Sequence, residues 1–136
     1  MRTKGIASIL WLDGSGGLLV GAGLWLLAGW LQPLYGLPEG LYFGMATANV
    51  AYGCFALFVA TRRPPTVGLI TVLAGANALW SVFCVLAFVQ VFRSASLLGY
   101  AHLWLEGAYV LWLATMEWRH RVLLSQGNTP ADGRGS

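Results

Sequence analysis

The sequence is poor in charge. Of its 136 residues only 10% are Asp, Glu, Lys or Arg, where a soluble domain carries about a quarter. That shortage excludes an ordinary solvated surface. With 57% hydrophobic residues, it places the chain among integral membrane proteins. The basic residues are scattered at the ends of apolar runs, where lipid topology puts them, and form no clustered face for nucleic acid. No nucleic-acid partner is expected. Cysteine is scarce too. Cys54 and Cys84 make no Cys-x-x-Cys pair, and at 1.5 Å per residue their depths differ by about 10 Å, too much for a disulfide. The two histidines, His102 and His120, lie about 27 Å apart along one helix, which excludes bis-histidine haem. There is no phosphate loop, no recognisable nucleophile–base pair and no three-ligand metal set, so no metal or other cofactor is expected.

Long apolar runs are what the chain has in plenty. Four spans emerge, at about 6–31, 41–60, 67–92 and 97–118, each long enough to cross a bilayer as a helix. The breaks have local causes. Gln32 to Gly40 holds two prolines and two glycines, Arg62-Arg63-Pro64-Pro65 joins charge to a proline pair, and Arg93-Ser94-Ala95-Ser96 is short and polar. Ser96 is placed to cap the fourth helix. Residues 1–124 form a single membrane domain, and residues 125–136, rich in Gly and polar groups, a flexible tail. Arg2 and Lys4 precede the first span as in a signal peptide, but the apolar run is too long for one and is read as retained.

Orientation follows from the basic residues. With the N-terminus inside, Arg2, Lys4, Arg62, Arg63, Arg119, Arg121 and Arg134 lie on the inner side and only Arg93 on the outer. The positive-inside rule then puts both termini in the cytoplasm. Short connections predict an all-α, up-down-up-down bundle of four transmembrane helices with sequential helices as neighbours.

Small and polar residues stripe each span at i+3/i+4 spacing. They are Asp13, Gly17, Gly21 and Ala28 in the first; Ala46, Asn49, Gly53 and Ala56 in the second; Ala74, Asn77, Ser81 and Cys84 in the third; and Gly99, His102, Glu106 and Tyr109 in the fourth. Membrane helices pack through such stripes, with Gly17, Gly21 and Gly53 as points of close approach. The second and third spans share Ala-x-Ala-Asn-x-x-aromatic, at Ala46–Tyr52 and Ala74–Trp80. This pattern is open to chance or to duplication, and in both cases sets one asparagine near each midplane.

Glu106 is the leading candidate for function. A carboxyl so deep costs several kcal/mol unless neutralised, paired or wet, and His102 lies one turn away on its face. The converging stripes predict one interior holding Glu106, His102, Asn49, Asn77, Asp13 and Tyr109, either as structural glue or as a ligand or proton site. Asp13-Gly14-Ser15-Gly16-Gly17 reads as a helix interruption or as the capped start of the embedded helix. Glu117, beside Arg119 and four residues before Arg121, reads as an ordinary interfacial pair.

The run Gly21-Ala22-Gly23-Leu24-Trp25 leading into Leu34-Tyr35-Gly36-Leu37-Pro38 resembles the first helix and loop of small four-helix bacterial membrane proteins of the DoxX-like kind. The resemblance covers a quarter of the chain and implies a bundle in a bacterial inner membrane. The first functional reading is a non-enzymatic bundle or accessory subunit that binds partner helices, membrane lipid or a small hydrophobic ligand. The alternatives are a homo-oligomeric proton- or cation-coupled transporter working through Glu106, and a membrane enzyme acting on a lipid or quinone with Glu106 and His102 as acid and base.

Overall fold

The computed structural model describes residues 2–62 and 64–126, with side chains from Ser8 onward. Among these residues the fold is all-helical, in five helices: α1 (Arg2–Leu26), α2 (Ala28–Tyr35), α3 (Glu39–Thr61), α4 (Val67–Gln90) and α5 (Leu97–Gln126). Three are long and apolar enough to cross a membrane: α1 from Ser8, α3 and α4. That is the make-up of a multi-pass membrane protein. α5 has the length, 30 residues, but His102 and Glu106 dilute its apolar run.

Several boundaries differ from the sequence expectation. The first span is not one helix to residue 31. It breaks at Leu27 (φ −103°, ψ 15°) and resumes as α2, an eight-residue helix with no buried side chain. Pro33 within it lacks the N–H that would bond the preceding turn. The Asp13–Gly17 run neither interrupts nor starts a helix; α1 passes straight through it. α4 ends at Gln90, two residues early. α5 continues past Trp118, so Ser125 and Gln126 belong to it; the rest of the expected tail lies outside the described residues.

The α2–α5 junction is tightly specified. Gly36 ends α2 at φ +62°, a left-handed conformation that disfavours a side chain. Ser96 does cap α5, accepting from Gly99 N (3.2 Å). It also ties α5 to α2, through its N–H to Tyr35 O (2.9 Å) and its hydroxyl to Leu34 O (2.6 Å).

The helices associate as two close antiparallel pairs, α1 with α3 and α4 with α5; α1 and α5 join the pairs, while α3 and α4 touch little. Two of the three sequential span pairs are thus the expected neighbours, and only α3 with α4 departs from that expectation. Two apolar clusters result. One gathers Leu24, Tyr42, Met45, Ala87, Val91 and Leu103 at the α2 end. The other gathers Leu10, Val59, Ile70, Leu73 and Leu124 at the α3–α4 turn. Asp13, Asn49, Asn77, Ser81, Glu106 and Glu117 are all buried, whereas Leu26, Leu79, Leu97 and Leu105 are more than 70% exposed. Polar groups inside and leucines outside is the distribution lipid favours.

Candidate functional site

The buried polar residues fall between the two apolar clusters, in two centres that share one wiring plan. Asp13, on α1, accepts from the Tyr52 hydroxyl of α3, its close-packed partner, and from Asn77 Nδ2 of α4 (3.3 Å). Glu106, on α5, accepts at Oε1 from Trp80 Nε1 of α4, its own close-packed partner (2.6 Å), and from Asn49 Nδ2 of α3 (2.7 Å). Each carboxyl therefore takes an aromatic donor from the nearer helix and an asparagine from the farther one. The Asn-x-x-aromatic spacing achieves this. It sets the amide and the ring one turn apart on each helix, so that α3 and α4 each serve both centres.

The carboxyl-bearing helices match as well. Leu10-Trp11-Leu12-Asp13-Gly14 on α1 corresponds to Leu103-Trp104-Leu105-Glu106-Gly107 on α5. Leu10 and Leu103 are buried, the tryptophans and second leucines exposed, the carboxyls buried. Both glycines stand where the partner helix comes close: Gly14 against Leu57 of α3, Gly107 against Cys84 of α4. The correspondence runs α1 to α5 and α3 to α4, in reversed chain order. It matches pairing positions and is not a tandem repeat of a two-helix unit.

The centres differ in their fourth member. Beside Glu106 stands His102, its Nε2 2.8 Å from Oε2 and its ring against Tyr35 (5.2 Å between centroids). Beside Asp13 stands Glu117, fully buried, accepting from the same Asn77 amide (3.2 Å) and within hydrogen-bond reach of the Asp13 carboxyl. The interfacial reading of Glu117 is thus overturned. Arg121 turns away, stacking on Trp118 at 4.2 Å from the ring centroid, and Glu117 faces inward. The helical spacing Glu106, Val110, Leu113, Glu117 holds the signal, since i+4, i+7 and i+11 share a face.

Donor supply separates the centres further. Glu106 accepts at Oε1 from two donors, Asn49 and Trp80, and its Oε2 lies in ion-pair contact with His102 Nε2 at 2.8 Å. Asp13 and Glu117 present four oxygens to two donors, Tyr52 and Asn77, and Glu117 Oε1 accepts from none among the described residues. Between the centres lies a cavity of about 170 Å³, lined by both Asp13 and Glu106, by Asn49, Asn77, Tyr52 and Trp80, and by Tyr109. Tyr109 is held by its hydroxyl on Leu12 O (3.1 Å). Of the residues expected to meet in one interior, Glu106, His102 and Asn49 form one centre, Asp13 and Asn77 the other, and Tyr109 flanks the space between. Tyr52, Trp80 and Glu117 are the members that sequence reading missed. Gly17, Gly21 and Gly53 lie where α1 meets α3.

Tyr52→Phe deletes one donor to a carboxyl and keeps the ring, whereas Trp80→Phe deletes one donor and also trims the indole to a phenyl. The first is expected to cost about 1–2 kcal/mol and the second about 1 kcal/mol more, for the lost packing. The double variant should lose the sum, because the donors serve different centres. Unfolding titrations in mixed micelles measure all three; a double variant no worse than a single one would merge the two centres into one.

Comparison with protein-family models, with curated proteins and with solved structures found no match to this chain.

Proposed function

We propose that the protein is a non-enzymatic, four-span bundle of a bacterial inner membrane, with both termini cytoplasmic, that binds a small organic cation in the cavity between Asp13 and Glu106. α5 serves as the fourth span, with Glu106 covered by Asn49 of α3 and Trp80 of α4 and His102 by Tyr35 of α2. The placement of Arg and Lys at one end supports the orientation. The single observation that carries the ligand class is the cavity itself. It has a carboxyl at each end, aromatic rings in its wall, and no Lys, Arg or His among its lining residues.

Size narrows the class. A cavity of about 150 Å³ admits benzene, so about 170 Å³ suits one ring or short branched chain bearing an ammonium. The Asp13 end is the seat for the charged group, because Glu106 already has His102 as its ion-pair partner and Asp13 has no basic partner among the described residues. A cation there gains Coulomb attraction in a low dielectric, with the aromatic residues Tyr52 and Trp80 lining the space beside it.

Benzylammonium is the probe, with benzyl alcohol as its neutral counterpart of similar shape. Calorimetric titration of the protein in lipid nanodiscs should show saturable 1:1 binding of benzylammonium at least tenfold tighter than benzyl alcohol, and Asp13→Asn should abolish that preference. Equal binding of the two compounds, or no saturable binding, would overturn the proposal.

A further inference from the structure

The Asp13–Glu117 contact poses a question of neutrality that the other centre does not. Two carboxyl groups from different helices meet in a water-poor interior. α3 faces them with Tyr52, α4 with Asn77, and α5 adds Tyr109 on the cavity side. None of these brings a positive charge. Among the described residues neither carboxyl has an Arg or Lys partner; the nearest histidine, His120, one turn beyond Glu117 on α5, sets its Nδ1 2.9 Å from Met116 O, and His102 is engaged with Glu106. Two bare carboxylates in contact would repel and leave buried charge unpaired, which proteins avoid by taking up protons. Glu117 Oε1, buried and without a donor, is where a proton is missing, and Asp13 is the member of the pair that lines the cavity.

We infer that the Asp13–Glu117 pair is a proton-exchange site, which releases one proton to water for each organic cation that enters the cavity. This deepens the organic-cation reading and rests on it. The empty pair holds a proton on each carboxyl and is neutral. As the ammonium arrives, one O–H bond breaks and its proton leaves to the aqueous phase. The cation's N–H groups then bond the freed carboxylate, and the second proton stays between the two acids. The cavity is neutral before and after, so one positive charge is exchanged for another. A site with this stoichiometry couples cation binding to proton release without a second copy of the chain.

The test is benzylammonium titration of the nanodisc-embedded protein in weak buffer, with released protons counted by a pH dye from pH 5 to 9. Close to one proton per bound cation is expected at the acid end of the range, falling as the empty pair loses its own proton. Glu117→Gln, which gives Asp13 an amide donor, should still bind benzylammonium with proton release reduced at least fivefold. Binding with no proton release at any pH overturns the exchange and leaves the ligand reading standing. Unchanged release in Glu117→Gln would mean that the exchanged proton does not depend on the pair, which also overturns it. Should that variant fail to fold, the wild-type count against pH decides alone. Absence of benzylammonium binding throughout removes the ligand reading itself.

Discussion

Replacing Gly53 with alanine is expected to lower the unfolding free energy by about 3 kcal/mol or more, the upper end for overpacking. A Cβ at Gly53 would stand 2.4 Å from the backbone N of Leu18 and 2.9 Å from its Cα. Backbone atoms cannot step aside by changing rotamer, so α1 must move off α3 and take Asp13 away from Tyr52. Gly21 poses the same obstacle from the other helix, 2.6 Å from Val50 N. Gly44, on the same helix as Gly53, has no heavy atom within 4 Å of the added carbon. There alanine should be neutral or stabilising by up to about 1 kcal/mol, through helix propensity. Denaturant titration of both variants in micelles checks the contrast. A Gly53→Ala protein as stable as Gly44→Ala would mean that α1 and α3 are not packed at this distance.

The same glycines show what could be read from the chain alone. The apolar runs of α3 and α4 and the small-residue stripes through Gly17, Gly21 and Gly53 were legible, because lipid leaves helices few ways to pack. Which helix each stripe faces was not. Spacing along a helix gives the face but not the partner, so Asn49 and Asn77 could be placed in one interior but not assigned to the different carboxyls they serve. The Asp13–Gly17 run suggested an unwound segment; α1 stays helical because Gly14 and Gly17 are used for contact with α3 rather than for backbone freedom. Glu117 was hidden by its neighbours. Arg119 and Arg121 drew it to the surface, while its helical spacing from Glu106 pointed inward. The match of Leu10–Gly14 to Leu103–Gly107 was visible in the sequence, but its meaning depends on the reversed helix pairing, which only the fold supplies.

Glu106→Leu is expected to be the most damaging single change at the polar centres, at about 3–5 kcal/mol. It removes the acceptor of Asn49 Nδ2, Trp80 Nε1 and the His102 ring together, and each donor left bare in the interior carries its own desolvation cost. Glu106→Gln should cost only about 1 kcal/mol, for a geometric reason. Asn49 and Trp80 both donate to Oε1, a role an amide oxygen fills equally well. The amide NH₂ then replaces Oε2 and faces His102 Nε2, which accepts once the ring carries its proton on Nδ1 instead. All three contacts survive with the charge removed. Unfolding of the two variants in micelles therefore separates hydrogen bonding from charge. Gln close to wild type with Leu far below it assigns the centre to hydrogen bonding. Gln as harmful as Leu would show that the Glu106–His102 ion pair, and not hydrogen bonding alone, holds α5 in place.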